Sequence, residues 1–395
     1  MAVRPTIPTP EFADRLARVQ AAMAEHGLDV LVLYGDDRAV FGANATRWLL
    51  DYAAHFESCC VIVPRSGVPH VATGAEAELF YRNTARLGEV HVVRDFCMPD
   101  EEYPYTHPIT FDQYVKAARS GMDGDVRRVG IVERLWAPEW LMDRWRENFP
   151  GAEIVPFDHT WYGLKAIKSP AEIEVIRYAY DLAELGLAAG RAALAAGARE
   201  RDVAAEIEYV MRKSGSEGSG IDTIVGSGVQ NTTAILTRAY PRVIQSGELV
   251  LLTIAPRYEG YHSAIGRPYM VDGSAPPEVA AASEGAIEAA DAVVAALRPG
   301  ATGAEVAQAG LRVLADRGLL ELCVYSGNHS VGTSEFEPPI LTSTSDYVVH
   351  ANMVVSVDVP LFFAPWGGMR YEDGYLVTAD GPEKLTTTPL EPLRS

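Results

Sequence analysis

Two similar segments in the C-terminal half place the strongest constraint on how this chain can fold. GARERDVAAEIEYVMRKSG spans residues 197–215, and GATGAEVAQAGLRVLADRG spans residues 300–318. Both open on Gly-Ala, carry Val six residues after the first Gly and close on Gly at the same spacing. Each follows an alanine-rich helical stretch and leads towards a strand-like run. A repeated helix–helix–strand unit predicts two similar halves that pack about a pseudo-two-fold axis.

The first 162 residues follow a different pattern. EFADRLARVQAAMAEHGL (residues 11–28) has helical spacing, and the short apolar runs DVLVLYG, CCVIVP, HVAT, EVHVV and RVGIVE follow it at intervals. Strands that alternate with helical stretches predict an α/β domain over residues 1–162. A long amphipathic helix then begins after Ser169, with Pro170 at its first position and Glu172 completing a capping box. A length of 395 residues also favours two domains, so the second domain is predicted over residues 163–395.

Four segments of the second domain, each with polar residues among apolar ones, resemble segments of a known family. They read LVLLTIAPRYEGYHSAIGRPYMV (249–271), NHSVGTSEFEPP (328–339), MVVSVDVP (353–360) and MRYEDGYLVT (369–378). These segments resemble the metal-binding segments of the pita-bread hydrolases, which include Xaa-Pro aminopeptidase, prolidase, methionine aminopeptidase and creatinase. RLARVQAAMAEHGLDVLVLYG and GLKAIKSPAEIEVIRYA extend the likeness to the start of each domain. Among these enzymes, creatinase resembles the chain most in local sequence, in the segments HSVG, MVVSVDVP and GGMRYED.

The resemblance implies a fold and an assembly. The N-terminal domain is expected to be a creatinase-like α/β domain of ribonuclease H-like type, and the C-terminal domain a pita-bread α+β domain with the internal repeat. A homodimer is also implied, in which the N-terminal domain of one subunit approaches the active site of the other. The loop CMPDEEYPYTHPITF (97–111), which includes Tyr105 and His107, is then expected to close the pocket in trans.

The same resemblance shows where the metal ligands differ. Metal-dependent members supply Asp, Asp, His, Glu and Glu, and these positions here read Thr253, Ala264, His329, Asp358 and Glu372. A pair of metal ions needs bridging carboxylates that hold the ions about 3.5–4 Å apart. Since Thr253 and Ala264 cannot supply these anions, they are interpreted as degenerate metal positions, and neither a metal nor another cofactor is expected. Creatinase likewise lacks the paired aspartates and needs no metal.

Without a metal, the remaining three residues form an acid–base cluster. Two carboxylates brought close together cannot both ionise freely, so one pKa should rise. His329 can then transfer a proton near neutral pH, with Asp358 and Glu372 as its partners. The alternative is a single metal ion bound by the same three residues, and a third reading is a buried, paired relic.

A second departure from creatinase concerns substrate binding. The loop GSGVQNTTAILTRAYPRVIQSG (226–247) lacks the histidine that the resemblance implies there, and Gly266 stands where creatinase carries a carboxylate. Thr237, Arg238 and Tyr240 are the candidates nearby. The predicted substrate-binding residues are Arg370, Arg238, Tyr240, His262, Glu335, Tyr105 and His107. Packing is an equal alternative for His262, and structural roles are expected for Arg267 and Glu337.

Composition restricts the partners. A formal charge of −19 argues against nucleic-acid and anionic-membrane partners, and no apolar run approaches the ~20 residues that span a bilayer. Without a signal pattern at the N-terminus, a cytoplasmic location is expected, with Cys59, Cys60, Cys97 and Cys323 as reduced thiols. No Cys-x-x-Cys pair occurs, so a structural zinc site is not expected.

The function predicted from the sequence is therefore a metal-independent, creatinase-like hydrolase. Its expected substrate is a small molecule whose C–N bond lies in an amidino, urea or cyclic amidine group. The alternatives are a hydrolase or lyase with one metal ion, a non-hydrolytic enzyme of elimination, decarboxylation or cyclisation, and a non-catalytic pseudopeptidase. Because the reaction class comes from the resemblance, this prediction depends on how far the chemistry follows the fold.

Overall fold

The computed structural model describes residues 4–120, 122 and 124–395. The chain divides into two compact units, one of residues 7–165 and the other of residues 166–395 together with residues 4–6. Both units combine helices with sheets, which confirms the predicted α/β and α+β fold class. Within the described part of the chain, none of the helices is long and apolar enough to cross a membrane.

The N-terminal unit is built on a mixed sheet. Its strands are β1 (Val30–Gly35), β2 (Cys59–Pro64), β3 (His70–Thr73), β4 (Glu89–Val92), β5 (Arg128–Ile131) and β6 (Glu153–Pro156). Its helices are α1 (Thr9–Glu25), α2 (Asn44–Leu50), α3 (Glu78–Thr84), α4 (Phe111–Ala118), α5 (Glu139–Asn148) and α6 (Asp158–Ala166), with a 3₁₀ turn at Arg94–Phe96. The strand order is β4-β3-β2-β1-β5-β6, in which β2 pairs antiparallel with both β1 and β3.

The continuous apolar runs of β1 and β2 arise because helices cover both faces of this sheet. Successive strand residues point to opposite faces, so Leu31 and Leu33 pack with α1 and α2, while Val30 and Val32 pack with α4 and α5. Every residue of β2 is buried. Two separate cores, one on each side of the sheet, therefore hold this unit together.

The C-terminal unit alternates helix pairs with antiparallel strands. Its helices are α7 (Pro170–Ala193), α8 (Glu200–Ser214), α9 (Gly228–Thr233), α10 (Pro277–Ala296) and α11 (Gly303–Asp316), with a 3₁₀ turn at Leu320–Leu322. Its strands are β7 (Gly218–Ser219), β8 (Ile224–Ser227), β9 (Leu249–Ile254), β10 (Pro256–Tyr258), β11 (Tyr261–His262), β12 (Ile265–Met270), β13 (Gly327–Ser330), β14 (Glu337–Ile340), β15 (Val354–Ala364), β16 (Gly367–Thr378) and β17 (Gly381–Lys384). The large sheet has the order β14-β13-β15-β16-β12-β9-β8, with β17 paired to β16, and β11-β10-β7 form a smaller sheet.

A capping box marks the start of one helix in each half. Ser169 caps α7 by accepting a hydrogen bond from the Glu172 backbone N–H, and the Glu172 carboxylate accepts one from the Ser169 N–H, as the capping box predicts. Thr302 and Glu305 form the same box at the start of α11. The pairs α7–α8 and α10–α11 each precede a strand of the large sheet, β8 in one half and β13 in the other.

The large sheet has one helix-covered face, and this determines which side chains can form a site. On β15 and β16, Val357, Val359 and Tyr371 pack with α10 and α11 in one apolar core. Because side chains alternate along a strand, Asp358 and Glu372 point to the opposite face. His329, Asp358, Arg370 and Glu372 therefore collect on the face away from these helices.

Candidate metal centre

A single row of residues crosses the large sheet at the candidate site. In register, Thr253 on β9 lies opposite Gly266 on β12, which lies opposite Glu372 on β16. Glu372 lies opposite Asp358 on β15, and Asp358 lies opposite Gly327 on β13. Directly paired residues share a face, so the two carboxylates of this row are neighbours.

Three buried side chains converge next to this row. His329 Nε2 lies 3.9 Å from Glu335 Oε1 and 3.9 Å from Glu372 Oε1. One ligand atom from each of the three residues lies within 4.8 Å of the other two. Ser356, which pairs with His329 across β13 and β15, donates a hydrogen bond of 2.8 Å to Glu372 Oε1 and so orients that carboxylate. Glu335 reaches the cluster from the turn between β13 and β14.

The hydrogen bond of His329 determines which ring nitrogen faces the carboxylates. His329 Nδ1 lies 3.1 Å from the Ser330 carbonyl oxygen, which can only accept, so Nδ1 carries the proton. Burial lowers the pKa of His329, so the ring is neutral and Nε2 presents a lone pair. Burial, followed by the charge of Glu372, raises the pKa of Glu335 to about 8. His329 Nε2 and the facing carboxylate oxygens of Glu335 and Glu372 are acceptor atoms, so a proton or a cation must lie between them. One histidine and two carboxylates form a ligand set that suits a single Mn, Fe or Zn ion.

Asp358 lies in a separate polar group. Its Oδ2 accepts a hydrogen bond of 2.7 Å from the Tyr325 hydroxyl and lies 3.1 Å from Arg370 Nε. Arg370 also donates to the Tyr325 hydroxyl. Burial raises the pKa of Asp358 to about 7, although Arg370 acts in the opposite direction. The predicted trio is thus divided: His329 and Glu372 share a ligand cluster with Glu335, while Asp358 pairs with a buried guanidinium.

The positions interpreted as degenerate offer little to a second ion. The Thr253 hydroxyl is buried and has no hydrogen-bond partner among the described residues, and Ala264 is fully buried without a side-chain donor. At Gly266, a Cβ atom would lie 2.8 Å from Arg370 Cγ and 3.1 Å from Glu372 Cβ, so a carboxylate there would displace the Arg370 stem. The donors that converge on this face of the large sheet, among the described residues, therefore fit one ion.

The predicted substrate-binding residues lie in several environments. Arg370 and Glu335 are in the two polar groups just described, and the His262 ring is buried with Nδ1 3.3 Å from the Gly332 carbonyl oxygen. Arg238 is exposed and pairs with Asp222 at 2.6 Å, and half of the Tyr240 surface is exposed. In the N-terminal unit, Tyr105 and His107 are exposed on their loop. Their roles in substrate binding stay predictions.

Sequence reasoning missed two features of the site. The sequence predicts that Glu335 faces a substrate, whereas the structure places it beside His329 as a ligand. Its only signal is its position as the first acid after His329, six residues on, in the segment NHSVGTSEFEPP. Tyr325, which bridges Asp358 and Arg370, was missed altogether. It lies outside the four resembling segments, and its spacing distinguishes it from no other tyrosine of the chain.

Comparisons with known proteins identify the family. Residues 15–167 match the creatinase/prolidase N-terminal domain, and residues 174–379 match metallopeptidase family M24. A Xaa-Pro dipeptidase of Pyrococcus furiosus is 30% identical over 251 residues, which cover 64% of this chain and 72% of the relative. A Xaa-Pro dipeptidase of Pyrococcus horikoshii is 29% identical over 280 residues, which cover 71% and 77%. The chain belongs to metallopeptidase family M24.

Solved structures give the same fold. The dipeptidase PepE of Mycobacterium ulcerans superposes with a TM-score of 0.81 at 25% identity, covering 98% of both chains. The prolidase of Pyrococcus horikoshii superposes with a TM-score of 0.81 at 22% identity, covering 95% of this chain and 99% of its own. The pita-bread fold and the hydrolase class predicted from the sequence are confirmed.

The same findings correct the predicted chemistry. The prediction of a metal-independent hydrolase of an amidino, urea or cyclic amidine C–N bond is wrong, because the relatives in sequence and structure are Xaa-Pro dipeptidases of a metallopeptidase family. The prediction of a creatinase-type C–N hydrolase instead of a standard dinuclear metallopeptidase is wrong for the same reason. The error came from giving the missing carboxylates at Thr253 and Ala264 more weight than the donors that remain.

Proposed function

We propose that this protein is a metal-dependent peptidase that hydrolyses a small, dipeptide-like substrate. The observation that carries the proposal is the buried cluster of His329, Glu335 and Glu372, whose ligand atoms lie within 4.8 Å of one another in the M24 domain. The names of the relatives, Xaa-Pro dipeptidases, supply the substrate class. These three residues are the proposed ligands of one metal ion.

The ligands and their neighbours have distinct tasks in this proposal. A bound ion supplies Lewis acidity to the scissile carbonyl and lowers the pKa of a water molecule. His329 is held in the ligand tautomer by its Nδ1 hydrogen bond to Ser330, and Glu372 is oriented by Ser356. Arg370, buried on the same face of β16 as Glu372, is placed to bind the carboxylate of a dipeptide. Tyr325 and Asp358 hold its guanidinium in position.

Hydrolysis of dipeptides tests the proposal directly. We expect purified protein supplied with Mn²⁺, Co²⁺ or Zn²⁺ to cleave Xaa-Pro dipeptides, and His329→Ala to lower kcat/KM by at least about 10³-fold, since a Lewis-acid ion contributes several kcal/mol. Product release measured by chromatography gives the rates. His350→Ala, at an exposed histidine of the same unit, serves as the control and should retain wild-type activity. Cleavage that survives metal removal and His329→Ala would contradict the proposal.

Metal binding should also depend on pH through Glu335. Its pKa of about 8 in the metal-free protein means that an ion must displace a proton below that pH, whereas the lowered pKa of His329 reduces the corresponding cost at the ring. We expect the Kd of the site to weaken about tenfold per pH unit from pH 8 down to pH 6. Competition titrations, taken as the difference between wild type and His329→Ala, measure this slope. A Kd that is constant over this range would show that metal binding displaces no proton from Glu335.

Three finer expectations stay predictions that rest on the family resemblance. They are the homodimer, the closure of the pocket in trans by the loop that contains Tyr105 and His107, and the cytoplasmic location. The first can be measured by light scattering on the purified full-length chain, in which a mass near 42.8 kDa would indicate a monomer.

A further inference from the structure

The N-terminal unit contains a second group of metal-ligating side chains, far from the M24 segments in the sequence. Strands β3 and β4 pair in parallel at the edge of the sheet, with His70 opposite Glu89 and Ala72 opposite His91. Because directly opposite residues and residues two apart on a strand share a face, His70, Glu89 and His91 lie on the same side of the sheet.

The spacing of the three donors matches a metal coordination sphere. His70 Nδ1 lies 3.0 Å from His91 Nε2 and 3.9 Å from Glu89 Oε2, and all three ligand atoms lie within 4.8 Å of one another. Ligands about 2.0–2.1 Å from a zinc ion at the corners of a tetrahedron lie about 3.3 Å apart. The observed distances bracket this value, so a small adjustment of the exposed Glu89 side chain completes the geometry.

Tyr114 contacts both histidines of this group. The Tyr114 hydroxyl of α4 donates a hydrogen bond of 2.9 Å to the His70 carbonyl oxygen, and the Tyr114 ring meets the His91 ring edge-on at 5.7 Å. Partial burial lowers the pKa of both histidines. The positive charge of Arg82 acts on His91 but is paired with Glu78 at 2.7 Å.

We propose that His70, Glu89 and His91 bind one divalent transition-metal ion, with Zn²⁺ as the best match. Two imidazoles and a carboxylate are borderline ligands that favour zinc over magnesium or calcium, and three protein ligands leave one position open to solvent. The ion would join the edge strand β4 to β3. This site shares no residue with the cluster of His329, so the proposal can be tested independently of the proposed function. The expectation against structural zinc considered only cysteine ligands and did not cover this group.

A titration of the full-length His329→Ala variant isolates this site. We expect this variant to bind about one equivalent of Zn²⁺, and its Co²⁺ form to show the intense visible absorption of a tetrahedral site. His91→Gln added to this background should abolish the absorption, while His159→Gln, at an exposed histidine of the same unit, should leave it unchanged. Zn²⁺ should raise the Tm of the His329→Ala variant but not that of His329→Ala/His91→Gln.

Glu89→Gln provides a variant that should fold whatever happens at His91, because its side chain is 62% exposed. In the His329→Ala background we expect it to weaken Zn²⁺ binding at least tenfold. The proposal is overturned if the His329→Ala variant binds no Zn²⁺ at micromolar concentration, or if neither His91→Gln nor Glu89→Gln changes its affinity.

Discussion

Replacing Glu335 with Gln is expected to weaken metal binding at the M24 site by at least about 100-fold, whereas Asp358→Asn should leave it within about threefold of wild type. Loss of an inner ligand costs more than the 10–100-fold typical of outer-sphere partners. Glu335 stands 3.9 Å from His329 Nε2, while Asp358 is held by Tyr325 and Arg370. Calorimetric Zn²⁺ or Mn²⁺ titrations in a His91→Gln background, which removes the proposed N-terminal site, measure the difference.

Glu321→Gln is the matched control for this pair, because it removes a charge from an exposed acid of the same unit. It should bind metal like the wild type. The family resemblance points to Asp358 as the ligand, and the geometry points to Glu335. The opposite ranking, with metal lost in Asp358→Asn and kept in Glu335→Gln, would show that the ligand set follows the resemblance instead of the arrangement seen here.

The fold could be predicted because its signals are local. The apolar runs CCVIVP and HVAT coincide with β2 and β3, and the capping box of Ser169 and Glu172 marks the start of α7. Alternation along β15 and β16 sends Asp358 and Glu372 to one face, and this follows from strand geometry alone. Such features depend on neighbours within a few residues, which the sequence displays directly.

The ligand cluster could not be predicted in the same way, because it depends on contacts between distant segments. Whether Glu335 reaches His329 depends on the path of the turn between β13 and β14, and whether Asp358 is available depends on Tyr325, 33 residues away. The predicted reaction class was wrong for a related reason. The absence of carboxylates at positions 253 and 264 is visible in the sequence, whereas the position of Glu335 beside His329 is visible only in three dimensions. The His70, Glu89 and His91 group was missed because its ligands come from two strands joined by a register that the sequence does not specify.

A buried ion pair on the large sheet links stability to the metal centre. Arg267 Nη2 donates to both carboxylate oxygens of Asp373 at 2.8–2.9 Å, and both side chains are nearly inaccessible to solvent. Arg267 Nη1 donates to the backbone carbonyl of Glu372 at 2.7 Å, so the guanidinium also holds a proposed ligand strand in place. Thr386 and Lys384 complete the contacts of Asp373. The arrangement agrees with the structural role expected for Arg267.

Asp373→Ala should therefore lower the free energy of unfolding by about 3–5 kcal/mol, since it leaves the Arg267 charge buried without its anion. Denaturant unfolding at constant metal concentration measures the loss, and Asp380→Ala, at an exposed acid on the following turn, should stay within about 0.5 kcal/mol of wild type.

The double variant Arg267→Met/Asp373→Leu should recover part of the loss, because removing both charges leaves no unpaired charge buried at this position. Metal affinity in the double variant should be weaker than in Asp373→Ala, since the Glu372 carbonyl has lost its Arg267 donor. A change of less than about 1 kcal/mol in Asp373→Ala would mean that the carbonyl oxygens of Glu372 and Thr388, together with solvent, satisfy the Arg267 guanidinium without its anion.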